Sequence, residues 1–158
     1  MIYKEGLTAY DCLEDFLADE RISLVFICTP NNVHAQLAIA CLQAGKHVMC
    51  EKPVTMNSEE LEQVIAAAEK AGRIFTVHQN RRWDEDYLMT CQAVQSGEIG
   101  NITTIQSRVY GQRGVCFGWR ADPVAGGGML YDWGIHLIDQ LLCMFRGHEV
   151  VSVYARLL

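Results

Sequence analysis

A glycine-rich segment followed by an acid and an imidazole offers the clearest chemistry in this sequence. Three glycines at positions 126–128 precede Asp132 and His136. In a helix that begins near Met129, Asp132 and His136 stand four residues apart on one face, and Asp139 lies near that face. A carboxylate beside an imidazole orients the ring and stabilises its protonated form, which suits a general base near neutral pH. The alternative is a helix start with a structural Asp–His contact, and the pattern alone favours neither.

A lysine follows an apolar run in the tripeptide Glu51-Lys52-Pro53. The break falls at the carboxyl end of a predicted strand, where open α/β sheets bind their ligands. The Lys52 ammonium can there donate to a substrate oxygen. The alternative is a surface turn with a Glu–Lys ion pair, and the tripeptide taken by itself favours this alternative.

Other polar segments stand at equivalent places along the chain. The run from Thr29 to His34 ends one predicted strand, Asn80-Arg81-Arg82-Trp83 ends another, and Trp119-Arg120 precedes the glycines. Arginines at these positions suit anions or a substrate carboxylate, although salt bridges at a domain junction explain them equally well. For the first run the alternative is a plain helix N-cap.

No metal site is predicted. His34, His47, Cys28 and Cys50 lack the short ligand spacing of zinc sites. His47 and His148 are interpreted as surface or packing histidines.

The elements that must position these residues alternate between strand and helix. Short apolar runs at Leu24–Cys28, His47–Cys50 and Ile74–His78 are typical of parallel strands covered on both faces. Helical spacing occurs over Thr8–Asp19 and Val33–Ala44, and in a third helix capped by Asn57 or Ser58 and ended by Gly72. Short loops join these elements. The order predicts a right-handed parallel α/β layer.

The pattern changes after Asn80. Helices are predicted over Trp83–Ser96 and Leu130–Phe145, strands over Ile102–Tyr110 and Val150–Leu157, and a glycine-rich loop from Gly111 to Pro123. We therefore predict an α/β fold in which a partial Rossmann-like parallel sheet, residues 1–80, is followed by the start of an α+β domain, residues 81–158.

Composition narrows the class of protein. Half of the 158 residues are hydrophobic, and the net charge of −6 does not suit nucleic acid or an anionic membrane. Runs of about eighteen apolar residues, the mark of a membrane span, do not occur, and Met1-Ile2-Tyr3-Lys4 begins no apolar export segment. Seven cysteines without a C-x-x-C pair lie partly in apolar runs, as at Cys28, Cys41 and Cys143. They predict reduced core thiols and a cytoplasmic protein.

The sequence lacks the turn that binds dinucleotide phosphates. Only 23 residues precede Leu24, whereas a βαβ unit takes roughly 30 or more. No G-x-G-x-x-G occurs, since Tyr131 stands where the third glycine would follow Gly126 and Gly128. We expect the chain to be the middle part of a longer protein.

Taken together and in order, these motifs resemble the Gfo/Idh/MocA family of NAD(P)-dependent oxidoreductases. The resemblance runs from about Thr8 to the end of the chain. It rests on Thr29-Pro30-Asn31 with His34, Ala44-Gly45-Lys46-His47-Val48, Glu51-Lys52-Pro53, Asn80-Arg81-Arg82, Trp119-Arg120 and the segment 126–139.

The resemblance implies a Rossmann domain followed by an α/β domain whose open sheet mediates homo-oligomer formation. It implies oxidation of a sugar or cyclitol hydroxyl, with His136 taking the proton, Asp132 supporting the imidazolium and Lys52 steadying the oxygen while hydride passes to NAD or NADP. It further implies cofactor-binding roles for Thr29, Pro30, Asn31, His34, Glu51, Lys52, Asn80, Arg81, Trp119 and Arg120.

Three hypotheses follow from this resemblance. The first is a truncated oxidoreductase that by itself binds NAD(H) weakly or not at all, and micromolar NADH binding in calorimetry would contradict it. The second is a non-catalytic remnant that serves as a binding or assembly module. The third is a relative of the NAD-dependent glycoside hydrolases.

Overall fold

A computed structural model describes residues 6–110 and 117–156 of the chain. The predictions made for Met1-Lys4, for the beginning of the glycine-rich loop at 111–116 and for Leu157 lie outside these residues.

A three-stranded parallel sheet forms the centre of the fold. Strands β1 (Leu24–Ile27), β2 (His47–Glu51) and β3 (Phe75–His78) lie in the order β1-β2-β3. Leu24 pairs with His47, and Val48 pairs with Phe75. The parallel α/β layer is confirmed, and each strand lies within about one residue of its predicted bounds.

The core lies on one face of this sheet only. Alternate residues of β1 and β2 are buried under the helices, as Val25 and Val48 show, whereas Leu24 and Phe26 are exposed on the opposite face. The prediction that the strands are covered on both faces is therefore wrong for β1, because the described helices pack against one side. Cys28, predicted to be a core thiol, is likewise exposed.

Three helices cover the sheet: α1 (Leu13–Ala18), α2 (His34–Gln43) and α3 (Ser58–Ala71). The side chain of Asn57 caps α3 by accepting from the Glu60 N–H at 2.8 Å, which resolves the choice between Asn57 and Ser58. The helix α1 begins five residues later than predicted. Phe16 and Leu17 of this helix pack against the core, and the described residues before Leu13 contribute no apolar side chain to it.

The second half is helical wherever the structure assigns an element. A 3₁₀ turn over Asn80–Trp83 leads into α4 (Glu85–Ser96), and a second 3₁₀ turn covers Gly118–Ala121. A π-helical turn, Leu130–Gly134, then precedes α5 (Ile135–Met144). The predicted single helix over Leu130–Phe145 thus begins with a wider turn.

The strands predicted over Ile102–Tyr110 and Val150–Leu157 are not assigned in the part of the chain that the structure describes. Their β-branched residues indicate a side-chain preference for strands, but a strand also needs a neighbour for its backbone hydrogen bonds. No helix among the described residues is long and apolar enough to cross a membrane.

Candidate active site

The carboxyl ends of β1 and β2 and the glycine-rich loop enclose a cavity of about 240 Å³. Seven predicted site residues line it, together with Cys28, Gly127 and Gly128: Thr29, Asn31, Glu51, Lys52, Trp119, Arg120 and Asp132. The sheet edge thus meets a segment that lies far along the chain. Four predicted cofactor residues and one predicted catalytic residue are not among the lining residues: Pro30, His34, Asn80, Arg81 and His136.

Lys52 and Asp132 form the charged pair of this cavity. The Lys52 ammonium donates to the Asp132 backbone oxygen at 2.7 Å and to its carboxylate Oδ1 at 3.1 Å. Both side chains are largely shielded, with 14% and 20% of their surfaces exposed. Arg120 Nε lies 3.5 Å from the same Oδ1. The carboxylate therefore holds two cations at the cavity wall, and the π-helical turn places it there.

Glu51 does not form the ion pair with Lys52 that a surface turn would have. Its Oε1 accepts from His78 Nδ1 at 2.8 Å, and its Oε2 accepts from the Lys52 backbone N–H at 3.3 Å. His78 ends β3, one strand away. Glu51 therefore joins two strand ends below the cavity and leaves the Lys52 ammonium directed to Asp132.

His136 is almost completely buried at the start of α5, with 4% of its surface exposed. Its Nδ1 lies 3.2 Å from Gln79 Oε1. Burial, followed by the positive charges of Lys52 and Arg81, lowers the pKa of His136 to about 4. The negative charge of Asp132 raises the pKa of His136, but by less than burial and the two positive charges lower it. Asp132 therefore does not hold the pKa of this imidazole at its ordinary value, because burial outweighs the carboxylate.

The Asp139 carboxylate pairs with Arg82. Its carboxylate accepts from Arg82 Nε at 2.7 Å and from Arg82 Nη2 at 2.5 Å in a two-point contact. This pair joins α5 to the 3₁₀ turn after β3. Sequence spacing placed Asp139 near the face of His136, but the two-point arginine contact uses its carboxylate elsewhere.

The loop after β1 has one polar side chain, Thr29, at the cavity without a partner in the described part of the chain, and another, Asn31, bonded to the glycine-rich segment. The Thr29 hydroxyl oxygen is buried without a hydrogen-bond partner within the described residues, and Thr29 lines the cavity. Asn31 Nδ2 donates to the Gly126 carbonyl at 2.8 Å, so that this side chain ties the loop to the glycine-rich segment. A buried hydroxyl without a partner is rare in proteins and points to a missing ligand or water.

His34 links the loop after β1 to the turn after β2. Its ring is fully buried, with Nδ1 2.8 Å from the Pro53 carbonyl and Nε2 2.9 Å from the Thr29 carbonyl. The ring thus connects the loop after β1 to the turn after β2, where the Lys52–Pro53 peptide bond is cis. Pro30 precedes the 3₁₀ turn that leads into α2.

Arg81 and Arg120 lie in different environments, and only Arg120 lines the cavity. The Arg81 guanidinium lies over the Trp133 ring at 4.1 Å and pairs with Asp84 at 2.8 Å, in agreement with the salt-bridge alternative. The Arg120 guanidinium lies 4.5 Å from the centre of the Trp119 ring, and both residues line the cavity. Asn80 is exposed in the 3₁₀ turn beside Arg81.

Sequence reasoning overlooked Gln79 and His78, and it did not predict what Gly127 packs against. Gln79 contacts His136, His78 holds Glu51, and Gly127 packs where a Cβ would lie 2.4 Å from the Arg120 carbonyl oxygen. His78 at the end of β3 and Gln79 directly after it could have been found from their place at the same sheet edge as Lys52. The close packing of Gly127 had no signal beyond the glycine itself.

The cavity residues fit the nicotinamide end of NAD(P) and a substrate hydroxyl. The unpartnered Thr29 oxygen suits a carboxamide, and the Lys52 ammonium suits an alcohol oxygen. The Trp119 ring offers a flat apolar wall. The volume of about 240 Å³ is too small for a whole dinucleotide.

Two family models match the chain. The model described as "Oxidoreductase family, NAD-binding Rossmann fold" matches residues 3–79. The model described as "GFO/IDH/MocA C-terminal domain" matches residues 87–158.

Known relatives include two inositol dehydrogenases. The chain is 40% identical over 141 residues to scyllo-inositol 2-dehydrogenase (NADP⁺) of Bacillus subtilis, covering 89% of this chain and 39% of the relative. It is 31% identical over 157 residues to myo-inositol 2-dehydrogenase of Thermotoga maritima, covering 93% and 43%. Among solved structures, an NAD-binding protein from Listeria innocua is 48% identical with a TM-score of 0.86, covering 89% and 40%. The chain therefore spans about two fifths of the length of these proteins.

Proposed function

Because the chain belongs to the Gfo/Idh/MocA oxidoreductase family, we propose that it carries the catalytic residues for NAD(P)-dependent oxidation of a sugar or cyclitol hydroxyl. The observation that carries this proposal is the shielded Lys52–Asp132 pair, which faces the cavity where the loops of both halves meet. The inositol dehydrogenases among the relatives support a polyol substrate.

In this proposal Lys52 polarises the substrate oxygen. Two of its three N–H donors are directed to Asp132, which fixes the ammonium and leaves the third for the hydroxyl. As the alcohol becomes a carbonyl, negative charge develops on its oxygen when the proton leaves. A fixed ammonium in a shielded site stabilises that charge at little cost in reorganisation.

His136 accepts the hydroxyl proton. Its low pKa, caused first by burial, keeps the imidazole neutral at pH 7 and thus able to act as a base. The Asp132 carboxylate opposes the Lys52 and Arg81 charges at the ring, and so stabilises the imidazolium that forms.

Thr29, Asn31, Glu51, Trp119 and Arg120 hold the nicotinamide end of the cofactor in this proposal, since all five line the cavity. When bound, NAD or NADP supplies the acceptor for the hydride. His34 and Pro30 contribute indirectly, by shaping the loop that carries Thr29 and Asn31. Asn80 and Arg81 belong to the turn that packs, through Arg81 on Trp133, against the segment that carries Asp132.

The test is NAD(P)H formation, followed by absorbance, from myo-inositol, scyllo-inositol and free sugars with each cofactor. Lys52→Met removes the ammonium, and we expect it to lower kcat/KM by about 100-fold or more. The matched control is Lys70→Met, which changes an exposed lysine of α3 and leaves kcat/KM unchanged.

Unaltered turnover in Lys52→Met would contradict the proposal, as would calorimetric binding of NADH by a chain that forms no NAD(P)H from any polyol. Release of the aryl group from an aryl glycoside without net NAD(P)H would point to the glycosidase alternative. If the chain catalyses neither reaction, the hypothesis of a binding or assembly module remains.

We further propose a homo-oligomer in the cytoplasm. Exposed apolar side chains in the segment 150–156, such as Val151 and Tyr154, favour self-association. The six described cysteines are free thiols, in keeping with a reducing compartment. Light scattering that finds a monomer at high concentration would contradict the oligomer, and cell fractionation tests the location.

A further inference from the structure

The contact between His136 and Gln79 specifies where the ring proton lies. Nδ1 of the ring stands 3.2 Å from the Oε1 atom of the amide. A carbonyl oxygen can only accept a hydrogen bond, so that Nδ1 must carry a hydrogen to donate.

The ring has only one proton to place at neutral pH. Burial and the charges of Lys52 and Arg81 oppose its protonation, while Asp132 and Asp84 favour it, and the balance lowers the pKa of His136 to about 4. A neutral imidazole has one N–H and one lone pair on the other nitrogen. If Nδ1 holds the hydrogen, Nε2 holds the lone pair.

We propose that Gln79 is a positioning residue that holds His136 in the Nδ1–H tautomer and leaves Nε2 as the proton acceptor. This inference deepens the proposed function, since it identifies the basic atom only if His136 is the base. The tautomer itself does not depend on any reaction.

Both partners of the contact are fixed by their own elements. The Gln79 backbone N–H donates to the Val77 carbonyl at 3.0 Å, and the Gln79 carbonyl accepts from the Arg82 N–H at 3.2 Å. On the other side, Gln140 of α5 donates from Nε2 to the Arg81 carbonyl at 2.8 Å. The turn after β3 and the helix that carries His136 are therefore held together, and the amide is positioned against the ring.

Nitrogen NMR of the whole ¹⁵N-labelled chain at pH 7 reads the tautomer directly, because a protonated ring nitrogen and one with a lone pair resonate far apart. The His136→Asn variant assigns the signals among the five histidines. Gln79→Glu keeps an acceptor at the same place, whereas Gln79→Met removes it at similar length. The matched control is Gln63→Met, on the exposed side of α3.

We expect protonated Nδ1 in the wild type, in Gln79→Glu and in Gln63→Met. In Gln79→Met the Nε2–H tautomer should become the major species, since it is the form that free imidazole side chains favour in water. Where turnover is measurable, kcat/KM of Gln79→Met should fall by about tenfold because the lone pair is on the wrong nitrogen.

A wild-type spectrum with protonated Nε2 would overturn the inference, as would Gln79→Met with an unchanged tautomer. A change of tautomer between the wild type and Gln79→Glu would mean that the amide NH₂, not its oxygen, faces the ring, and would likewise overturn the inference. Failure of the proposed function appears separately, as absence of NAD(P)H formation in a chain whose His136 tautomer still responds to Gln79.

Discussion

At the scale of single residues, the cavity contains a charged pair whose members neutralise each other and a hydroxyl without a hydrogen-bond partner among the described residues. The Lys52 ammonium and the Asp132 carboxylate, 80 positions apart, satisfy each other, whereas the Thr29 hydroxyl oxygen has no partner among the described residues. The satisfied pair can hold its geometry while a substrate arrives. We expect a ligand in the cavity to supply the hydrogen bond that the buried Thr29 hydroxyl does not make within the described residues.

Replacing Thr29 by Val should change stability and binding in opposite directions. Val keeps the shape and removes the buried oxygen, so the free energy of unfolding should rise by about 1 kcal/mol. Cofactor affinity should fall, because the ligand loses that partner. Chemical denaturation and calorimetric titration measure the two effects. In the control Thr90→Val, a hydroxyl that donates to the Asp86 carbonyl is lost, and stability should not rise. A Thr29→Val chain less stable than the wild type would contradict this prediction.

Acid should destabilise the protein partly through His136. Its folded pKa of about 4 lies below the ordinary value of 6.5, so the unfolded chain takes up this proton first as the pH falls. The free energy of unfolding should therefore decrease between pH 6.5 and about 4. His136→Gln should lack this part of the decrease in denaturation curves taken across that range, whereas the exposed-site control His148→Gln should keep it. Identical pH dependence in wild type and His136→Gln would show that burial does not govern this ring.

At the scale of elements, the site is a junction between strand ends and a loop whose backbone packs very closely. The Gly127 N–H donates to the Asp122 carbonyl at 2.8 Å, and the Gly128 N–H donates to the Arg120 carbonyl at 2.7 Å. These backbone contacts bring the segment that carries Arg120 against the glycines. The glycines of this segment thus support the cavity by allowing close approach of the chain.

Gly127→Ala should therefore disturb the cavity. The new Cβ would lie 2.4 Å from the Arg120 carbonyl oxygen and 2.8 Å from that of Asp122, and both are backbone atoms that cannot rotate away. We expect a loss of about 1–3 kcal/mol in the free energy of unfolding. In the control Gly134→Ala, the Cβ meets the flexible end of Leu130 in a helical turn, so its cost should stay below about 1 kcal/mol. Equal thermal stability of the two variants would contradict this reasoning.

At the scale of the whole molecule, the α/β layer, with the turn Asn80–Trp83 that follows it, is joined to the later segment by side-chain contacts. Asn31 reaches the Gly126 carbonyl, the Tyr131 hydroxyl donates to the Met56 carbonyl at 3.2 Å, and Arg82 pairs with Asp139. Each contact links the α/β layer to the later segment. The catalytic geometry that we propose depends on these contacts, because Lys52 belongs to the α/β layer and His136 to the later segment.

The Arg82–Asp139 pair should contribute a measurable part of this docking. The two side chains are 44% and 14% exposed, so solvent screens their attraction. A double-mutant cycle with Arg82→Ala and Asp139→Ala should give a coupling energy of about 0.5–1 kcal/mol that decreases with added salt. Pairing Arg82→Ala with Glu62→Ala, an exposed site on α3, should give additive effects. Additivity in the first cycle would mean that this pair does not hold the segments together.

Local patterns in the sequence determined much of this architecture. The apolar runs located β1, β2 and β3, and Gly72 marked the end of α3. The carboxyl-end rule brought Thr29 and Lys52 to one edge of the sheet. These features were readable because strand period, helix caps and parallel connection each depend on a few neighbouring residues or on a general rule of topology.

Tertiary packing alone decided the rest. The π-helical turn that places Asp132 on Lys52, the burial that lowers the pKa of His136, and the Gln79 contact all depend on groups distant in sequence. The segments predicted to be strands after residue 80 also depend on distant groups, because β-branched residues alone cannot provide the neighbouring strand that their backbone hydrogen bonds need. The sequence named the acid, the amine and the imidazole. The protonation state of the imidazole followed only from what surrounds it, because desolvation and charge depend on distance in space.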